Sequence, residues 1–409
     1  GPFLWWRMNK RGKKAGMGFA VTTILLDAIG VGLIFPIMPA LMLDLGIKNI
    51  SDAALFGGVL TTVYAAMQFV FMPIFGNLSD RFGRRPVLLL AIATLVVDYI
   101  VMGVAANYAV LLIGRVIAGI AGATVSTATA YIADVSRPED RGKNFGMVGA
   151  AFGLGFVLGP ALGGMVGEYG VRLPFFLAAG FAGLNFLFGL FFLPESLDPQ
   201  NRRQFSWERA NPFKALKRAI LAKELRSLLI IAFCIVLADY VYVSVWSFYG
   251  KEKFDWSLSL IGYSLTAYGA GVVLVQGVLI RWMIPKVGEA RTIVFGLGVT
   301  FLAVVMVAVA TETWMVFALM PLVVLGKVAG PALSGVLSKQ VPDTDQGDLQ
   351  GVMGSVASMA AILAPPMFGW LFKVYTTDGM PYFPGAPFLL AAVIMVVALV
   401  IFLKAAQRQ

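Results

Sequence analysis

"GNLSDRFGRRP", residues 76–86, stands between two long apolar runs, "GVLTTVYAAMQFVFMPIF" at 58–75 and "VLLLAIATLVVDYIVMGVAA" at 87–106. Each run is long enough to cross about 30 Å of hydrocarbon as a helix. The stretch therefore reads as a tight charged connection between two membrane-crossing helices. Plain loop polarity is one account of its one Asp and three Arg, packed into residues 80–85. It gives no reason for an acid directly before Arg81, or for Gly76 and Gly83. A glycine at 76 leaves room for another helix end, and the Asp80 carboxylate can accept hydrogen bonds from a helix N-terminus. Arg84 or Arg85 would hold that carboxylate in place. The reading set against plain polarity is a conformational latch made of Gly76, Asp80, Arg81, Gly83, Arg84 and Arg85.

Working outward, comparable apolar runs recur near 17–42, 55–76, 86–106, 109–132, 144–167 and 173–193, then 226–250, 258–283, 291–311, 314–338, 349–373 and 385–404. The chain is 59% hydrophobic and only 13% charged, where a soluble chain carries about 25% charged residues. An all-α polytopic membrane protein of twelve helices is expected. Its 45 Gly suit membrane helices that pack backbone to backbone.

One long polar stretch, 194–225, splits the runs into two sets of six. The expected organisation is a bundle at 17–193, a linker at 194–225, a second bundle at 226–404, and short ends at 1–16 and 405–409. Within the first end, "GPFLWWR" at 1–7 reads as a vector-derived remnant and Met8 as the native start. The apolar run that follows is too long for a cleaved signal peptide, so it reads as a retained first helix. Lys and Arg gather at the N-terminus and in the connections after spans 2, 6 and 8, while those after spans 1 and 9 are net acidic. By the positive-inside rule both termini and the linker are cytoplasmic. In the linker, "NPFKALKRAILAKEL" at 211–225 can form a short amphipathic helix on the inner leaflet, capped by Asn211. A disordered basic linker is the alternative.

The sequence also excludes chemistry. There is no His, which removes imidazole triads, relays and metal ligands. The one Cys, Cys234, cannot form an intramolecular disulfide. No phosphate-binding loop is present, and neither an enzyme nor a bound metal or cofactor is expected. The net charge of +10 lies in short connections and reads as topology rather than as a nucleic-acid surface.

Five ionisable side chains fall inside the spans: Asp27, Asp98, Arg115, Asp239 and Lys327. Each would cost about 2.5–3.5 kcal/mol at a lipid-facing helix centre, so they are expected to face the bundle interior or a wet cavity. Static pairing that ties helices together is one role open to them. Arg115 can also satisfy backbone carbonyls at a helix break. The other role is titration. A carboxylate that loses and regains a cationic partner during a conformational cycle binds and releases a proton. Asp27, Asp98 and Asp239 are the proton-coupling candidates, with Arg115 and Lys327 as charge partners. Asp27 and Arg115 are 88 residues apart, as are Asp239 and Lys327, which points to one acid–base pair in each half.

Several motifs stand in order. "GRVIAGIAGA" at 114–123 falls in span 4, "AFGLGFVLGPALGG" at 151–164 in span 5, and "LPESL" at 193–197 closes span 6. Together with residues 76–86 they resemble the signatures of the major facilitator superfamily and of its twelve-span drug/proton exchangers. Gly155, Gly159, Pro160, Gly163 and Gly164 match the antiporter motif of those exchangers. "LDAIGVGLIFPIMPAL" at 26–41, "YAAMQF" at 64–69, "GLNFLFGLFFLPES" at 183–196 and "QGDLQG" at 346–351 look like the tetracycline efflux pumps. The resemblance implies the major facilitator fold, two pseudo-symmetric six-helix bundles, and alternating access.

It implies a proton-coupled antiporter that exports small amphipathic compounds, powered by the proton gradient without a cofactor. The expected partners are a small-molecule substrate, protons and the lipid bilayer, with no nucleic acid, in a monomer of a bacterial inner membrane. Candidate substrate contacts are Tyr64, Gln68, Asn185, Tyr240, Tyr242, Trp246, Tyr268 and Gln276, although Tyr and Trp also serve as interfacial anchors. A transporter of a metabolite or organic anion is the alternative that Lys327 favours; a non-transporting receptor is the alternative from another class. One departure stands out. Where the tetracycline pumps place a His in span 8 and an Asp in span 9, alignment of "YGAGVVLVQG" and "RTIVFGLGVT" puts Val272 and Thr300.

The glycines carry a mechanical expectation of their own. Gly155, Gly159, Gly163 and Gly167 recur every fourth residue, leaving one side of span 5 bare for a neighbouring helix, and Pro160 bends it.

Overall fold

The computed structural model describes residues 10–122, 124–137, 140–208, 210–214, 217, 225–342, 345–377 and 379–406. It is helical throughout, with twelve helices long and apolar enough to cross a membrane among the described residues. In chain order the first six spans are α1 (Lys10–Asp44), α2 (Ile50–Phe82), α3 (Arg84–Val104), α4 with α5 (Tyr108–Ala121 and Thr124–Val135), α6 (Arg141–Tyr169) and α7 (Leu173–Phe192). The second six are α8 (Arg226–Phe254), α9 with α10 (Leu258–Leu274 and Ile280–Val287), α11 (Glu289–Val309), α12 with α13 (Thr313–Leu325 and Ala329–Lys339), α14 (Gln346–Thr376) and α15 (Ala386–Ala406).

Helices are the expected outcome for such runs, because hydrocarbon offers no water to unpaired backbone groups. Local signals set several ends. Asn107 caps α4 by accepting a hydrogen bond from the Val110 N–H at 3.0 Å, and Ser257 caps α9 by accepting from the Leu260 N–H at 3.2 Å. Three spans are interrupted. Span 4 breaks at Gly122, span 8 widens into a π turn at Val275–Leu279, and span 10 tightens into a 3-10 turn at Gly326–Val328.

The 76–86 stretch is less of a loop than expected. α2 continues through Phe82 and α3 begins at Arg84, so only Gly83 leaves the helical path, at φ 108°. A side chain there would be strained in the backbone and would also press on Glu195. The amphipathic helix expected at 211–225 lies outside the described residues except at 211–214, 217 and 225.

Contacts divide the chain into two compact units, residues 1–34 with 66–211 and residues 35–65 with 212–409. In the first unit the glycine ridge of α6 meets α1. A Cβ on Gly159 would lie 2.7 Å from the Ile29 carbonyl oxygen and 2.8 Å from Gly32 Cα. Gly155 faces Ala28, and Gly163 faces the Leu33 backbone. Phe19, Ile24, Leu88, Ile92, Tyr131 and Ile132 form a buried core beside this seam.

In the second unit, close packing joins α14 to the part of α2 that belongs to that unit. A Cβ on Gly369 would lie 2.7 Å from the Ala54 carbonyl oxygen, and one on Gly58 would lie 2.5 Å from that of Pro365. The Thr62 hydroxyl donates to the Ile362 carbonyl at 2.9 Å.

Gly159→Val is predicted to separate α1 from α6, because both near neighbours are backbone and cannot rotate away. A loss of about 1–3 kcal/mol, the usual penalty of overpacking, is expected as a lowered thermal midpoint of the purified protein.

Candidate functional site

The densest group of candidate side chains lies in the second unit, around Lys327. The 3-10 turn at Gly326–Val328 places this residue between the two helical segments of span 10. Its Nζ lies 2.5 Å from Asp239 Oδ1, across from the middle of α8. It also stands 4.9 Å from the centroid of the Tyr242 ring and 5.6 Å from that of Tyr268, within cation–π range of both. Those two rings stack with centroids 5.2 Å apart. The pair is unequally exposed: the Lys327 side chain is 5% accessible and that of Asp239 is 32%. A cavity of about 50 Å³ adjoins them, bordered by Gln276, Leu297, Thr300 and Gly326. The Tyr242 hydroxyl is buried and has no hydrogen-bond partner among the described residues.

The geometry follows from the backbone. A 3-10 turn is narrower than an α-helix, so α11 can approach closely. A Cβ on Gly326 would lie 3.1 Å from the Thr300 backbone nitrogen, and one on Gly296 would lie 2.8 Å from the Ala329 Cβ. Gln276 sits within the π turn of span 8, a common position for functional residues.

In the first unit the charges pair differently from the expectation drawn from equal spacing. Arg115 bonds not to Asp27 but to Asp98, with Nη2 2.5 Å from Oδ2, and it also contacts the Met102 sulfur. The two charged residues sit on α3 and α4, antiparallel neighbours joined by the short connection at 105–107, and they face each other across that hairpin. The pair is buried, with Asp98 1% accessible, and Asp98 Oδ1 lacks a hydrogen-bond partner among the described residues. Asp27, half-buried on α1, makes no hydrogen bond or ion pair with another described residue. Arg115 and Asp98 therefore form a static-looking tie, while Asp27 can take a proton without first breaking a pair.

The 76–86 stretch is a network within the first unit. Arg84 Nη1 lies 2.7 Å from Asp80 Oδ1, and its Nε lies 3.1 Å from Asp134 Oδ2 at the end of α5. The Glu195 carboxylate, from "LPESL", accepts the backbone N–H groups of Arg84 and Arg85 at 2.8 and 3.2 Å. Arg85 donates to the Leu190 carbonyl at 2.7 Å, while the Arg81 guanidinium lies over the Phe82 ring. Gly76 differs from its expected part: a Cβ there would meet nothing within 4 Å, so no helix end approaches it in this conformation.

The expected substrate contacts do not form one set. Tyr242, Tyr268 and Gln276 gather around the Asp239–Lys327 pair. Trp246 is 2% accessible and hydrogen-bonds to Ser264 at 2.8 Å, which makes it part of a buried aromatic core rather than a cavity wall. Tyr240 makes no hydrogen bond or ring contact with another described residue. Asn185 donates to Thr23 at 3.0 Å and ties α7 to α1, and Gln68 donates to the Gly122 carbonyl at the break in span 4. Tyr64 falls in the second unit. Two further residues carry the 76–86 network, Glu195 and Asp134, and neither is among the site residues expected from the sequence. Hairpin geometry points to Asp134, since α3 and span 4 (α4 with α5) run back to back from one connection, which brings the end of α5 beside the start of α3.

With this geometry in view, the sequence model of the Major Facilitator Superfamily matches residues 20–326 and 228–408. The chain is 37% identical over 366 residues to the Tetracycline resistance protein, class C, of Escherichia coli, covering 89% of this chain and 92% of the relative. It is 29% identical over 389 residues to Multidrug resistance protein 2 of Bacillus subtilis, covering 93% and 92%. Its fold superposes on the crystal structure of a human organic anion transporter with a TM-score of 0.71 at 23% identity, covering 95% of this chain and 99% of that one.

The asymmetry of the Asp239–Lys327 pair generates a prediction. Asp239→Asn leaves a deeply buried ammonium uncompensated and is expected to cost about 3 kcal/mol or more. Lys327→Met leaves a part-exposed carboxylate and is expected to cost less. The double variant is expected to be more stable than Asp239→Asn alone. Thermal midpoints of the four proteins form the cycle that checks the coupling.

Proposed function

The chain belongs to the Major Facilitator Superfamily, and we propose that it is a proton-coupled antiporter exporting small amphipathic compounds from the cytoplasm by alternating access. At the coarser level it is an integral multi-pass membrane transporter related to tetracycline and multidrug efflux proteins. In our reading it works as a monomer in a bacterial inner membrane, with both termini cytoplasmic, and takes its energy from the proton gradient without a cofactor.

One observation carries the reading: Asp239 is the accessible member of its pair, while Lys327 lies behind it and beneath two tyrosine rings. An approaching ligand meets the Asp239 carboxylate first, with the part-buried Tyr268 ring near it and Tyr242 buried behind. That combination suits an amphipathic compound with a cationic or hydrogen-bond-donating group. A proton on Asp239 removes the charge such a ligand needs, so proton and ligand compete. Exchange requires that competition. An organic anion is less well served, because it would reach Lys327 only by displacing Asp239. Asp27, with no partner among the described residues, is the second titrating group in this reading.

The test is reconstitution into liposomes loaded with a pH-sensitive dye. Adding a lipophilic ammonium compound is expected to drive proton movement in the opposite direction; substrate movement without proton movement would defeat the proposal. Asp27→Asn keeps the side-chain shape but cannot titrate, and is expected to abolish uphill transport while leaving ligand binding within about twofold. Uphill transport at the normal rate would assign the proton elsewhere.

Tetracycline is expected to be a poor substrate. Val272 packs against the apolar cluster of Val275, Met283, Val324 and Val328, and Thr300 is 4% accessible against Gly326. Neither side chain can exchange a proton or hold a metal chelate. Minimum inhibitory concentrations of tetracycline in a sensitive host expressing the protein are expected to stay at the control level.

A further inference from the structure

The two halves carry the same ion pair with its charges exchanged. In the first unit α3 begins at Arg84, directly after Gly83 at φ 108°, and Arg84 reaches Asp134 at 3.1 Å. In the second unit α11 begins at Glu289, directly after Gly288 at φ 86°, and Glu289 reaches Lys339 at 2.8 Å. Both pairs span 50 residues of sequence, and both join the first residue of one span to the end of the next. The order is basic then acidic in the first half, and acidic then basic in the second.

Helix electrostatics explain what the exchange does. The N-terminus of a helix carries partial positive charge and favours an anion. Arg84 is the wrong sign for that position, and α3 has no acidic residue in its first turn. The missing anion comes from Glu195, which accepts the N–H groups of Arg84 and Arg85. Glu289 has the right sign itself, being the acidic residue of the first turn of α11.

We propose that Glu289 is a positioning residue that performs in the second half the two tasks divided between Glu195 and Arg84 in the first. It supplies the anion at the start of α11, and through Lys339 it anchors the far end of α13. The segment it anchors leads back to Lys327. Close contacts join α11 to α13, with Glu289 against Gly335 and Gly296 against Ala329, and to the turn before it, with Thr300 against Gly326. α13 is one unbroken helix of 11 residues that runs from the turn carrying Lys327 to the tether at Lys339. The accessible ends differ: the Lys339 side chain is 71% exposed and that of Glu289 is 18%. The lateral contact is therefore a modest bias rather than a lock.

The experiment uses the full chain in lipid nanodiscs and reads two quantities that need no substrate. One is the rate at which acetic anhydride modifies Lys327, followed by peptide mass spectrometry. The other is hydrogen exchange over residues 289–293. Lys339→Gln sits at an exposed site that does not threaten folding. It is expected to raise the Lys327 rate about two- to fivefold, the range of an exposed ion pair, and to leave exchange at 289–293 unchanged. Glu289→Gln is expected to raise both.

The exchange Glu289→Lys with Lys339→Glu is expected to bring the Lys327 rate back to the wild-type value. Exchange at 289–293 stays fast in that variant, because a cation then occupies the helix N-terminus. An unchanged Lys327 rate in Lys339→Gln, a failure of the double exchange to recover it, or normal exchange at 289–293 in Glu289→Gln would each overturn the proposal. Because neither readout involves transport, failure here is distinct from failure of the antiporter reading.

Discussion

A charge inside hydrocarbon must find a partner or a wet surface, and this structure is organised around that requirement. Of the five ionisable side chains placed within spans, four form two pairs, Asp98 with Arg115 and Asp239 with Lys327. The pairs are built differently. Asp98 and Arg115 lie on consecutive helices and are buried together, which leaves little for a ligand to reach. Asp239 and Lys327 lie on helices far apart in sequence, beside a small cavity, with one member accessible. Desolvation penalises both pairs, but only the second leaves room for its balance to be altered from outside.

Placing these charges requires helices that depart from regularity. Lys327 occupies a 3-10 turn and Gln276 a π turn, and these two irregularities flank the same cavity. Regular segments on either side pack through glycine. Without a hydrophobic drive between helices in lipid, close backbone contact supplies much of the association. That explains why Gly159 against Gly32, Gly369 against Ala54 and Gly296 against Ala329 recur as seams. The seams hold rigid elements together, and the interruptions leave particular turns free to carry polar side chains.

The ends of the helices follow electrostatics as well. Glu195 appears from the sequence as part of a closing motif, yet its carboxylate stabilises the start of a helix more than one hundred residues earlier. Its task makes sense only beside Arg84, which brings an unfavourable charge to that helix end and needs an anion nearby. Asp80, Arg84, Asp134 and Glu195 form one connected cluster around the 76–86 stretch. Gly76 has no part in it in this conformation.

Sequence by itself determined the twelve spans, the family and the need for interior charge pairing, because hydropathy and charge act locally and their cost is set residue by residue. It also made the α6 glycine ridge legible, since a period of four on a helix is a surface property. It did not determine which charges meet. Equal spacings of 88 residues suggested Arg115 for Asp27, whereas the tertiary structure gives Arg115 to Asp98, because residues symmetric about a short hairpin face each other whatever their distance from other charges. It likewise did not reveal that Trp246 bonds to Ser264 while Tyr242, also buried, faces Lys327, although both are aromatic and only four positions apart on α8. Pairing, burial and exposure depend on the neighbours a side chain finds in three dimensions, and those neighbours are chosen by packing rather than by the order of the chain.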